Sequence, residues 1–360
     1  MGRFQPGVTI HATYGRVFVS RAASFLSHNG GALTEPSVSP DDIVGLVASR
    51  LVEVEKLFHD NLASPVAIVD EIGEFVGQGG GKRVRPTLHL LCADLCGYKG
   101  PHDVLLATVL EFIHSATLIH DDVIDAAATR RGRPSVNRSW GNTITVLFGD
   151  YLYAKAMEMA LRAGSLRVMD RLAWITLRMT EGEMIQTRFA GRLDLSVDEY
   201  MDLIERKTAV LFGGCCELAG ILSGVDTETE GALRRYGLHI GLAFQIVDDM
   251  LDFTGDSAIL GKPTVSDLRE GKATLPVLDL LKTGSTRARD LAGTIAGGRG
   301  TDDDSVELIA LLRASGALDR SEARARLHAE LAVRELDAFP AGPARRALIG
   351  VPDLLISRNR

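Results

Sequence analysis

Cysteine is scarce in this 360-residue chain: Cys92, Cys96, Cys215 and Cys216, with no Cys-x-x-Cys pair and no His-rich segment beside them. That excludes a zinc site or disulfide framework and leaves four small buried hydrophobes suited to a reducing compartment. Long apolar runs are missing too. None approaches the roughly 20 residues that span a bilayer; the nearest, Ala209 to Gly224, is interrupted by Glu217 and reads as a buried core helix. Positive charge is not in excess: 40 Lys and Arg against 47 Asp and Glu, a net charge of -7 and a pI near 5.8, argue against a nucleic-acid partner. No stretch shows sustained period-two alternation with β-branched enrichment. No Ser-His-Asp or Cys-His arrangement stands at a convincing spacing. The N-terminus carries no secretory signal. Residues 1 to 34 hold Arg3, Arg16 and Arg21 but no acid before Glu35. That is the composition of a transit peptide, of an unstructured extension, or of a start codon placed upstream. The expectation is a cytoplasmic protein, with organellar targeting as the alternative, built as an N-terminal extension over 1–38 and one domain over 39–360.

What is present is helix after helix, and 46% hydrophobic residues are enough for a large core. Apolar residues at helical spacing predict helices over Asp41–Asn61, Pro65–Val76, Pro86–Cys96, Val104–Asp125, Asn142–Ala163, Leu166–Ala190, Ser196–Gly224 and Thr229–Phe253. Thr274–Leu281, Ser305–Ala314 and Ser321–Ala338 complete the series, with Gly, Pro, Asn and Ser at the breaks. The fold expected is all-α, a single large helical bundle around a deep central cavity.

Two acidic clusters stand out. Asp121, Asp122 and Asp125 lie at i, i+1 and i+4, on one face of a helix, and Asp248, Asp249 and Asp252 repeat the spacing. Each ends an apolar helix. Carboxylates are unfavourable there, because the macrodipole is already negative. A helix selected for stability alone would carry Lys or Arg. Bound cations explain the pattern better, and clustered oxygen ligands suit Mg²⁺ shared with substrate phosphates. Mn²⁺ is the alternative ion. Asp302-Asp303-Asp304 is a contrast, reading as N-terminal acids of a short helix.

Basic residues flank these acids. Gly79-Gly80-Gly81-Lys82-Arg83-Val84-Arg85-Pro86 places three cations after a flexible turn; Arg130-Arg131 follows the first cluster; Lys207-Thr208 opens the helix of Cys215; Lys262 and Lys272 follow the second cluster. Glycines let backbone approach an anion, and Lys and Arg bind phosphate oxygens. Any one of these could be solvated surface. Beside both acidic clusters they point to at least one diphosphate ligand.

The stretches GGGKRVRP, EFIHSATLIHDDVIDAAATRRGRPSVN, KTAVLF, GLAFQIVDDMLDFTGD and LGKPTVSDLREGKATLP resemble the trans-isoprenyl diphosphate synthase family in order and spacing, over roughly residues 40 to 360. The resemblance implies an all-α bundle, usually dimeric, with the acidic motifs facing each other across a cavity. It implies that the chain condenses isopentenyl diphosphate head to tail with an allylic diphosphate. Asp121, Asp125 and Asp248 would be the main metal ligands, supported by Asp122 and Asp252, with Asp249 in the same catalytic cluster. Arg130, Lys207 and Lys262 would hold the allylic diphosphate with Thr208 and Gln245; Lys82, Arg85, His114 and Arg131 would hold isopentenyl diphosphate; Lys272 would add charge near the leaving group. His114, on an apolar helix face, would ordinarily be a satisfied core histidine, and the resemblance favours a ligand. No transmembrane segment is implied, only transient membrane contact for product release.

Thr117 and Ala116 lie four and five residues before Asp121, near its face of the helix, and both are small. Short-chain members of the family commonly carry bulky aromatics there. The expected product is therefore a medium- or long-chain all-trans polyprenyl diphosphate, with Phe112, Phe148 and Tyr151 as candidates for a deeper floor. Ordinary packing of Ala and Thr in a helix is the alternative reading of that pair. A short-chain synthase, a terpene cyclase and a non-catalytic subunit of a heteromeric synthase are the competing functions. A cyclase needs no second-substrate site such as Lys82-Arg83-Val84-Arg85, and non-catalytic subunits typically lose acidic clusters.

Overall fold

The computed structural model describes residues 39–130, 132–255 and 264–356. The extension over 1–38, and the site candidates Arg131 and Lys262, lie outside the described residues. Helices follow one another as α1 (Pro40–Gly45), α2 (Ala48–Leu62), α3 (Ala67–Gly77), α4 (Val84–Leu95) and α5 (Asp103–Ile124). A minimal antiparallel hairpin follows, β1 (Thr129–Arg130) with β2 (Arg133–Pro134). Then come α6 (Val136–Trp140), α7 (Asn142–Leu161), α8 (Leu166–Phe189), α9 (Val197–Ile204), a π-helical turn over Glu205–Ala209, α10 (Val210–Ser223) and α11 (Thr227–Thr254). The chain closes with α12 (Ser266–Arg269), α13 (Leu275–Leu281), α14 (Thr286–Ala296), α15 (Asp302–Ala314), α16 (Ala317–Glu335) and α17 (Pro343–Ile356). The architecture is all-α.

Side-chain caps fix several starts. Ser196 and Glu199 form a reciprocal capping box at α9, Asp226 accepts from the Thr229 amide at α11, and Thr301 with Asp304 opens α15, whose first turn carries Asp302, Asp303 and Asp304 as the composition suggested. Gly224, at φ +67, ends α10 in the left-handed conformation that favours glycine. The core follows two long apolar helices. α10 is buried continuously from Val210 to Gly220, with Glu217 held at its edge by Arg171 at 3.0 Å. α5 is the one described helix long and apolar enough to cross a membrane, and most of it is buried inside the bundle. Cys92, Cys215 and Cys216 are buried and unbridged, and Cys96 is half-buried.

Close packing of α10 on α11 sets the geometry of the site. A Cβ at Gly237 would stand 2.4 Å from the Phe212 carbonyl oxygen, and one at Gly241 2.5 Å from the Ala209 Cα. No side chain fits at either place, so the two backbones approach directly. That contact delivers the far end of α11, with its acids, to the turn that carries Lys207 and Thr208.

Candidate active site

At the end of α5, Asp125 caps the helix, its amide bonded to the Asp121 carbonyl at 2.8 Å, and the chain reverses through Ala126 at φ +48 and Gly132 at φ +76. The β1–β2 hairpin then folds back, so that Arg130 Nε donates to Asp122 Oδ1 at 2.5 Å. Asp122 is buried and its carbonyl accepts from Asn137. Asp121 is half-buried. Burial, with Glu183 and Asp125 nearby, pushes its carboxyl up to about 6 against the opposing charges of Lys207 and Arg130. Lys272 Nζ reaches Asp125 Oδ1 at 2.9 Å and Glu270 Oε2 at 2.8 Å. Its loop is pinned where the Gly191 amide donates to the Gly271 carbonyl at 2.8 Å, with Gly271 at φ +79.

Lys207 projects from the π-helical turn and pairs with Glu183 Oε1 at 2.7 Å. The turn lies against Gly182 of α8, where a Cβ would stand 2.7 Å from the Lys207 amide nitrogen. Gly182 is therefore what allows Lys207 to sit beside the first cluster. π-turns of this kind are frequent at functional sites.

The three acids at the end of α11 share a spacing but not an environment. Asp248 is exposed. Asp249 is buried and accepts from Tyr200 Oη at 2.6 Å and from Gln245 Nε2 at 2.7 Å, while Thr208 Oγ1 donates to Gln245 Oε1 at 2.8 Å. Burial, then the charges of Asp267 and Asp248, holds the Asp249 carboxyl well above the usual carboxylate range. Asp252 is also buried. Its carboxylate accepts from Ser266 N at 3.0 Å, Ser266 Oγ at 2.7 Å and Asp267 N at 3.1 Å, and its carbonyl accepts from the Val265 amide. It ties down the start of α12, where Val265 sits at φ +62. Asp252, expected to support a metal, also anchors the start of α12 through these three hydrogen bonds.

The glycine-rich segment runs Gly80 at φ +56, then Lys82 exposed, Arg83 buried and Arg85 half-buried. Arg83 contacts Glu55 and Glu111, and the Arg85 guanidinium lies 4.6 Å over the Phe212 ring. His114 is half-buried on α5, three residues past Glu111. Ala116 is buried in one apolar cluster with Phe112, Ile113 and Phe148. Thr117 is half-buried, its hydroxyl bonded to the His114 carbonyl at 2.8 Å. The ring of Phe148 stacks on Tyr151 at 6.0 Å.

The fold therefore brings Asp121, Asp125, Arg130, Lys207 and Lys272 together, and joins Thr208 and Gln245 to the second cluster through Asp249. Sequence reasoning missed Glu55, Glu111, Gly182, Glu183 and Tyr200. Gly182-Glu183 in the middle of a long helix was the one available signal, since an interior helical glycine needs a packing reason.

Comparisons with known proteins give the family of the chain that carries this site. The sequence pattern of the Polyprenyl synthetase family matches residues 66–312. The chain belongs to that family. It is 36% identical over 316 residues to an octaprenyl diphosphate synthase of Escherichia coli, covering 88% of this chain and 98% of that protein. It is 36% identical over 318 residues to an all-trans-nonaprenyl-diphosphate synthase (geranyl-diphosphate specific) of Rhodobacter capsulatus, covering 88% and 97%. A crystal structure of a polyprenyl synthase from Caulobacter crescentus, complexed with calcium and isoprenyl diphosphate, superposes with a TM-score of 0.86 at 38% identity, covering 91% of this chain and all of that one. That membership makes the chain an enzyme, a prenyltransferase.

Proposed function

We propose that this polyprenyl synthetase joins isopentenyl diphosphate head to tail to an allylic diphosphate, with Mg²⁺ at the acidic clusters, and stops near octaprenyl or nonaprenyl length. The observation that carries this reading is the pairing of acid with cation at one locus: Asp125 with Lys272, and Asp121 crowded by Glu183 yet facing Lys207. A carboxyl pushed up by burial and acidic neighbours gains from a cation, so the donor set suits a divalent ion. Among the described residues, no three acidic, His or Cys side chains converge on one point. An ion here would be held by one or two carboxylates and completed by substrate phosphates, the ordinary Mg²⁺ arrangement.

In the reaction, the carbon–oxygen bond of the allylic diphosphate breaks and its electron pair leaves with the diphosphate. When bound, Mg²⁺ supplies Lewis-acid stabilisation of that developing charge. Arg130, Lys207 and Lys272 stabilise the same charge from fixed positions. The double bond of isopentenyl diphosphate, oriented by Lys82, Arg85 and His114, attacks the allylic cation. A proton is then lost, restoring a double bond, with the released diphosphate as its acceptor. The apolar cluster beneath Asp121 shields the cation from water. Incubation of the purified protein with labelled isopentenyl diphosphate, Mg²⁺ and separate allylic primers should yield polyprenyl products of that length. Turnover of the allylic diphosphate without isopentenyl diphosphate would instead indicate a cyclase.

The same reading includes a homodimer. Leu147 and Leu161 on α7, and Leu166, Leu177 and Met184 on α8, are all more than half exposed. Trp174, Leu177 and Met184 stand at i, i+3 and i+10 along one helix stripe. A second copy covering this face accounts for it. Leu177→Glu with Met184→Glu should shift the sedimentation coefficient to that of a monomer; an unchanged dimer would place the interface elsewhere.

A further inference from the structure

Arg83 stands between two residues assigned to isopentenyl diphosphate, Lys82 and Arg85, and looks in sequence like a third phosphate ligand. Its surroundings say otherwise. The side chain is 8% exposed and turned inward. Its Nη2 donates to Glu55 Oε2 at 2.8 Å, its Nε also engages Glu55, and its Nη1 donates to Glu111 Oε1 at 2.5 Å. The guanidinium lies 5.0 Å over the Phe58 ring. Two carboxylates face one cation, so the locus carries net negative charge and repels a phosphate. A guanidinium forked on carboxylates has its donors directed and occupied.

Those contacts come from three elements. Glu55 and Phe58 are on α2, Glu111 is on α5, and Arg83 opens α4. The Arg83 backbone is left-handed at φ +47, a conformation that few non-glycine residues hold without outside restraint. Its carbonyl accepts from both the amide and the hydroxyl of Thr87, at 3.0 and 2.8 Å, and so starts α4. Turning Arg83 inward sends Lys82 out to solvent. Glu111 also lies one helical turn before His114, so the same ion pair registers the glycine-rich segment against that histidine.

We infer that Arg83 is a positioning residue, tethering the Lys82–Arg85 segment to Glu55 and Glu111 in the geometry that receives isopentenyl diphosphate. This rests on the reading that Lys82 and Arg85 hold that substrate. The test compares Arg83→Met, Arg83→Gly and Arg83→Lys with Lys82→Ala. It measures KM for isopentenyl diphosphate, KM for the allylic substrate, and thermal midpoint. Arg83→Met should raise KM for isopentenyl diphosphate about 10-fold or more while KM for the allylic substrate stays within about twofold, since small misplacements of a binding group are costly. Arg83→Gly should do the same although glycine accepts the backbone angle, which separates tether from strain. Arg83→Lys should lie between, because an ammonium keeps the charge and loses the fork. Should Arg83→Met not accumulate, Glu55→Gln, at the accessible edge of the tether, is expected to give the same selective rise. Equal increases in both KM values in proportion to lost thermal stability, or an unchanged KM for isopentenyl diphosphate, would overturn the inference. If Lys82→Ala itself leaves that KM unchanged, the substrate-site reading fails and takes the tether with it. If Lys82→Ala raises it and the Arg83 variants do not, the tether alone fails.

Discussion

Asp125→Asn and Asp121→Asn should each lower kcat by about 10³-fold, roughly 4 kcal/mol of transition-state stabilisation, and should raise the Mg²⁺ concentration needed for half-maximal rate. Both effects follow from removing charge where charge develops on the leaving diphosphate. Asp252→Asn provides the contrast. Its oxygens cap α12 through Ser266 and Asp267, so its loss should cost about 1–3 kcal/mol of stability. It should slow turnover by loosening the start of α12, with the Mg²⁺ dependence unchanged. A matching change in Mg²⁺ dependence for all three variants would mean that Asp252 reaches the ion and that its cap is secondary.

Asp121 adds a pH signature. Its carboxyl titrates near 6, above the ordinary 3.8. A raised acid pKa means that the folded state prefers the proton. This group's contribution therefore becomes unfavourable as pH rises from about 4 to about 6, and stays so above that. A bound cation reverses the preference, because it competes with the proton. The gain in thermal midpoint on adding Mg²⁺ with inorganic diphosphate should be larger at pH 7.5 than at pH 5, because a ligand stabilises the folded state by mass action and the ion binds best where the carboxylate is ionised; Asp121→Asn should remove that pH-dependent part. A gain equal at both pH values in the parent protein would show that Asp121 is not in contact with the ion.

The legible parts of this molecule were those set by local chemistry. The i, i+1, i+4 acids, the apolar lengths of α5 and α11 and the acidic start of α15 all follow from helix geometry and dipole. Elements decided by distant packing were not legible. The helix expected over Asp41–Asn61 breaks between Gly45 and Ala48, and the one expected over Ser196–Gly224 passes through a π-turn at Glu205–Ala209. That turn has no marker of its own; it fits because Gly182, on another helix, leaves room for it. α14 and α17 went unpredicted, the first for its short, glycine-interrupted apolar pattern and the second because Pro352 argues against a helix interior. In the site, spacing identified the six aspartates but not their separate tasks. Those are set by Tyr200, Ser266 and Arg130, each brought to its aspartate by the fold.

Ala116→Phe is expected to shorten the product by one isoprene unit or more. Ala116 lies five residues before Asp121 on α5, where the proposed reading has the first atoms of an allylic tail leave the diphosphate site. It is buried in the cluster that also holds Phe112, Ile113, Phe148 and Leu152. The neighbouring contact of α5 with α7 is tight: a Cβ at Gly149 would stand 2.3 Å from the His120 ring, one turn beyond Ala116. On the proposed chain-length reading a growing tail passes between these helices, and a small residue at 116 leaves that passage open. A phenyl ring there fills the path close to its mouth. If the site is instead ordinary packing, the ring overfills the core at a cost of about 1–3 kcal/mol, and the product of whatever enzyme folds is unchanged. Chromatographic sizing of the products beside a denaturation curve separates the two. Shorter product with near-parent stability supports the tail path, and parent-length product from a destabilised enzyme assigns Ala116 to the core alone.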